Sequence, residues 1–280
     1  MKKIVLLAFL VSAIGFSQKK NKRNPDELRF EALIELAENK QFAQAADGFR
    51  KFLTDFPNSD YKPRAHYNLG ELLWQNHKVI EAANVFTQIL DADYNETEAY
   101  GGIMEQYALY KNRSASNLAE IYLYIENYEL AEKYLVMADK DYPYQHFCGN
   151  ELTADAIYKA KMYGSIYLGQ GKTDKAISVM LPHLFNTGLA SNDQLLSVLE
   201  KALVKRYTNA ELKAMTELAI KTMEVDKNGN GRVKFAENWL TIYYDAVFGY
   251  DEIAAKFKEY DEKQLLVAMI RKHPIFSKYL

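Results

Sequence analysis

With one cysteine in 280 residues, Cys148, no disulfide can form within the chain, and stability must come from packing in any redox compartment. A lone cysteine reads as a small buried apolar residue. Glycine (13) and proline (6) are scarce, which argues against a turn-rich β architecture and for helices. An excess of either charge is also missing. Lys plus Arg total 35 against 37 for Asp plus Glu, so nothing points to nucleic acid or to an anionic membrane surface. The five histidines (His66, His77, His146, His183, His273) lack zinc-helix spacing, and there is no phosphate loop, dinucleotide fingerprint or serine elbow. His146 and Cys148 are two apart without a third group to orient them, and read as a structural loop. Enzyme chemistry finds no motif here.

The N-terminus has the form of an export signal. Lys2 and Lys3 precede an apolar run, Ile4 to Phe16, that is too short to span a bilayer. Gly15 and Ser17 are small residues at the −3 and −1 places of a cut before Gln18, and a polar stretch, 18–25, follows. No later segment is long and apolar enough to cross a membrane. The expected location is the periplasm or the exterior.

Along the rest of the chain apolar residues recur at three and four, and no alternating strand pattern stands out. Asn24-Pro25-Asp26-Glu27 and Thr208-Asn209-Ala210-Glu211 have the form of helix starts. Aligning alanines exposes a repeat. Ala45, Ala82, Ala131 and Ala176 are each followed four residues later by a large side chain: Phe49, Phe86, Leu135 and Met180. Twelve residues before each alanine lie Leu33, Gly70, Ala119 and Gly164, mostly small, and three beyond those come Leu36, Leu73, Tyr122 and Tyr167. Small residues let two helices of a hairpin approach closely, and the large ones are expected to fill the space between hairpins. Much of the tyrosine content, 21 residues, is assigned to the same filling.

This pattern resembles the tetratricopeptide repeat family, whose unit is a helix-turn-helix of about 34 residues. The resemblance covers residues 26–188 as four helix pairs, with longer connections at 91–112 and 144–157. FLTDFPNSDYKPRAHYNLGELLW is similar to the form found in envelope proteins such as the Tol-Pal accessory protein and outer-membrane assembly lipoproteins. The resemblance implies an all-α, right-handed α-α superhelix with a helical cap over 189–280, and a partner groove lined by the first helix of each pair. Mapped onto this chain, that groove takes Phe30 and Ile34, then Arg64, Tyr67, Asn68, Glu71 and Trp74, then Arg113, Ser116, Asn117, Glu120 and Tyr124, then Tyr158, Lys161 and Ser165. Arg64 with Asn68 and Arg113 with Asn117 are similar to part of a clamp for a peptide's terminal carboxylate, whose other members are missing.

A second signal is DKNGNGRVKFAE at 226–237. Asp226, Asn228, Asn230, the Arg232 carbonyl and Glu237 fall at ligand places of an EF-hand loop, with Gly231 at the sharp turn. The flanking segments read as helices. The loop is either a weak calcium site or a polar Asn-Gly turn, since Lys227, Arg232 and Lys234 oppose a cation. The sequence thus implies a non-catalytic protein-interaction module of the cell envelope that needs no cofactor, with a calcium-stabilised binding protein as alternative and an unrecognised enzyme third.

Overall fold

The computed structural model describes residues 24–99, 106–145, 149–186, 190–227, 230–242 and 261–280. The expected signal 1–17, His146, Cys148 and Asn228 lie outside them. Eight helices form four successive antiparallel pairs: α1 (Pro25–Glu38) with α2 (Phe42–Asp55), α3 (Lys62–Gln75) with α4 (Val79–Asp91), α5 (Tyr110–Tyr124) with α6 (Tyr128–Val136), and α7 (Gly149–Gly169) with α8 (Thr173–Met180). The chain is a helical repeat. It divides into two compact units, Met1–Phe147 with the first three pairs and Cys148–Leu280 with the fourth. No helix among the described residues is long and apolar enough to cross a membrane.

One turn joins the helices of every pair. The middle residue is left-handed: Lys40 (φ 60°), His77 (φ 59°), Glu126 (φ 61°) and Gly171 (φ 76°). The following amide (Gln41, Lys78, Asn127, Lys172) bonds back to the carbonyl of Leu36, Leu73, Tyr122 or Tyr167 at 2.8–2.9 Å, which closes the helix end in a Schellman motif. The same four residues then accept, through their own carbonyls, from the amides of Ala45, Ala82, Ala131 and Ala176 at 2.9–3.0 Å. The aligned alanines therefore sit one turn inside each second helix, fully buried against the first.

Close approach in the pairs depends on small residues. A Cβ at Gly70 would meet the Phe86 ring at 2.7 Å, and one at Gly164 would meet the Met180 sulfur at 2.5 Å. In the first pair the roles are exchanged, because Leu33 is large and Gly48 of α2 gives way to it. The ring of Tyr122 stacks on Tyr134 at 5.4 Å, and Tyr167 lies under Lys175 Nζ at 3.9 Å. Both contacts lie within a hairpin, and Tyr122 also packs against the core shared by the first three pairs.

In the second unit α9 (Asp193–Arg206) packs on α7 and α8, and α10 (Asn209–Lys221) starts from a complete capping box of Thr208 and Glu211. Asn24, the other expected cap, makes no side-chain cap bond; Pro25 simply begins α1. The helical region expected over 189–280 is interrupted. Strands β1 (Glu224–Val225), β2 (Gly231–Phe235) and β3 (Asn238–Ile242) form an antiparallel meander, with Phe235 paired to Asn238 and Gly231 to Ile242. Gly231, Val233, Phe235, Leu240 and Ile242 are buried, while Arg232, Trp239 and Thr241 face outward. The inner face meets Phe276, whose ring lies 4.8 Å from Phe235 and 5.9 Å from Phe185. A last helix, α11 (Glu262–Lys272), packs beside β1.

Candidate functional site on the second and third helix pairs

The first helices of pairs two and three, α3 and α5, lie side by side. Residues three and four apart share one helix face, which turns Tyr67, Glu71 and Trp74 of α3 toward Asn117 and Tyr124 of α5. The structure joins several of these. Asn117 Nδ2 donates to Glu71 Oε1 at 2.5 Å and to the Tyr67 hydroxyl oxygen at 3.2 Å, while Tyr67 donates to the same Glu71 oxygen at 2.8 Å. One turn further along, Trp74 and Tyr124 meet edge to face at 5.3 Å. Tyr124 is 63% exposed, Trp74 half-buried. The result is a carboxylate on a floor of neutral donors with an accessible aromatic wall beside it.

Burial holds the Glu71 carboxyl above the ordinary carboxylate range, and the charge of Glu120 pushes the same way. The bonds from Tyr67 and Asn117 and the more distant Arg113 oppose that rise.

Several expected groove residues serve the fold. Phe30 and Ile34 are core, with Phe30 stacked on Tyr61 at 4.9 Å. Arg64 is turned toward the connection between α4 and α5, where it pairs with Glu98 and donates to the Ala99 carbonyl at 2.7 Å. Glu98 also accepts from the fully buried Tyr110 at 2.8 Å, whose hydroxyl burial pushes far above its usual range. In the same connection the Glu96 carboxylate accepts from the Lys111 amide at 3.1 Å and so caps α5. Asn68 is buried, and neither its Nδ2 nor the hydroxyl of buried Ser114 has a partner among the described residues. Arg113 donates through Nε to the Ala108 carbonyl at 2.8 Å, with its guanidinium over the Tyr144 ring. Tyr158 and Lys161 lie together on α7 in the second unit, the Lys161 ammonium 5.1 Å from the Tyr158 ring centre and within 3.4 Å of Gln194; Ser165 bonds to the Lys161 carbonyl.

The calcium-loop set is dispersed. Asp226 and Asn230 close the β1–β2 turn on each other, with the Asn230 amide 3.0 Å from Asp226 Oδ1. Arg232 belongs to strand β2, its guanidinium over the Trp239 ring. Glu237 sits in the next turn beside Lys234, beyond the whole of β2, whose span from Gly231 to Phe235 is about 13 Å of extended chain. An EF-hand returns its twelfth residue to the loop by way of a helix. Here a strand carries Glu237 away from Asp226 and Asn230, and Asn228 lies outside the described residues. The alternation in GRVKF and WLTI carries the strand signal in the sequence.

No family model and no curated protein matches the chain. Among solved structures, the MamA RS-1 ArsTM double mutant is similar over 65% of this chain and 84% of that one, at 16% identity and a TM-score of 0.43.

Proposed function

We propose that the protein is a non-catalytic interaction module whose α3–α5 face holds a segment of a partner protein in the cell envelope. The carrying observation is the juxtaposition of a solvent-facing aromatic, Tyr124, with Trp74 and the hydrogen-bonded Glu71 carboxylate across two neighbouring helices. Rigid aromatics beside polar groups are the usual anchors of protein recognition. The envelope setting rests on the basic-then-apolar N-terminal segment 1–17.

The test is photo-crosslinking in cells, with a crosslinking amino acid in place of Tyr124 or, as control, of Ile80, which is 65% exposed on α4. A discrete adduct from position 124 and none from position 80 is expected, and equal labelling from both would contradict the assignment. The intact mass of the protein recovered from an envelope fraction gives the N-terminus, expected at Gln18. A retained Met1 in the cytosolic fraction would refute export.

A further inference from the structure

We propose that the segment held on this face carries a lysine or arginine, whose cationic head sits against Glu71 and Glu120 and whose stem crosses the Trp74–Tyr124 pair. This rests on the interaction-module reading and adds the chemistry of the partner.

The charge of the face argues for it. Of its two arginines, Arg64 is committed to Glu98 and the Ala99 carbonyl, and Arg113 to the Ala108 carbonyl and the Tyr144 ring. The residues that could have gripped a carboxylate therefore point elsewhere. Asn117, which would complete such a grip, gives its amide to Glu71. The carboxylates are what remain.

Glu71 accepts two bonds, both from neutral groups, and an ionised carboxylate has room for about four. Neutral donors satisfy its oxygens, and the more distant Arg113 offsets its charge only in part, so a half-buried carboxylate of this kind still favours a cation. Glu120 lies on the same face of α5, close enough to act on Glu71 through its charge, and takes part in no ion pair among the described residues. Trp74 is one turn from Glu71 and Tyr124 one turn from Glu120, so an incoming ammonium or guanidinium passes an aromatic pair on its way to the acids. Such rings attract cations through their faces. Carboxylates beside aromatics select a positive, extended side chain over a neutral or acidic one.

The test is fluorescence polarisation of the full mature chain with three labelled peptide pools, blocked at both ends and identical except for a fixed central Lys, Gln or Glu. The Lys pool is expected to bind about tenfold tighter than the Gln pool, with the Glu pool weakest and the Lys preference falling at high salt. Glu71→Gln and, separately, Glu120→Gln should each erase most of the Lys preference. The second variant leaves the Tyr67–Asn117 bonds intact, so misfolding of the first does not decide the result. Equal or tighter binding of the Glu pool, an undiminished Lys preference in both variants, or no binding by any pool would overturn the inference. If binding is indifferent to charge yet lost in Tyr124→Ala, the cation preference falls while the groove stands. Binding unaffected by Tyr124→Ala would remove the groove itself.

Discussion

The Phe86 ring lies where a side chain at Gly70 would have to go, with only 2.7 Å between the ring and a Cβ built there. This contact sets how closely α3 approaches α4, and through α3 it places Tyr67, Glu71 and Trp74 against α5.

Gly70→Ala should therefore destabilise the chain by about 1–3 kcal/mol, although alanine is the better helix former. Gly149→Ala is the control, because nothing lies within 4 Å of its Cβ, and it should be neutral or mildly stabilising. Urea midpoints check both. Equal midpoints for the two variants would mean that the pair is not held by this contact.

The left-handed turns make a second prediction. Ala236 (φ 44°) and Glu237 (φ 62°) form the two-residue turn between β2 and β3, a conformation that suits Asn-Gly. Glu237→Gly should stabilise by up to about 1 kcal/mol, since the left-handed region disfavours a residue with a Cβ. Millimolar calcium should leave the melting temperature unchanged in the parent and in the variant. A calcium-dependent rise that Glu237→Gly abolishes would restore the EF-hand reading.

The histidines give a pH dependence. Burial holds His66, His183 and His273 below the ordinary histidine value. His273 accepts the Ile275 amide on Nδ1 and meets the Leu184 carbonyl through Nε2, against the rings of Phe185 and Phe276, so its neutral form is the one that fits. A depressed histidine contributes stability that is present above the unfolded value of about 6.5 and is lost as pH falls through the folded one. Thermal melts between neutrality and about pH 5 should show a progressive fall, shallower in His273→Gln. A parent profile that is flat below pH 6.5 would contradict this.

Glu71 has the opposite sign. Its raised carboxyl binds a proton more tightly in the folded chain, so its ionisation destabilises the fold as pH rises through the folded value. Glu71→Gln can still accept from Tyr67 and Asn117. It should raise the melting temperature at neutral pH and leave it unchanged in acid. A lower melting temperature at neutral pH would show that the ionised carboxylate is needed for folding.

The helix pairs could be read in the sequence because the buried alanines, the large residue four later and the small residue twelve earlier all follow from helical periodicity and close packing. Their turns were hidden, since Lys40, His77 and Glu126 carry the left-handed position without the glycine that normally marks it. The meander was masked by a motif: GRVKF and NWLTI alternate, but both strands are short and overlap a run that matches calcium-ligand spacing. Face geometry places Tyr67, Glu71, Asn117, Trp74 and Tyr124 together, and these side chains do meet. It does not report where Arg64 points, because Glu98 and Ala99 lie against α3, and no local period reports a contact 34 residues away.

The most direct test of a partner face on α3 and α5 uses the protein crosslinked through position 124, once purified, in titrations against Trp74→Ala, Tyr124→Ala and Ile80→Ala. The first two should weaken binding at least about tenfold while the melting temperature holds, and Ile80→Ala should bind as the parent does. Undiminished binding by both aromatic variants, or a comparable loss in Ile80→Ala, would place the partner elsewhere on the molecule.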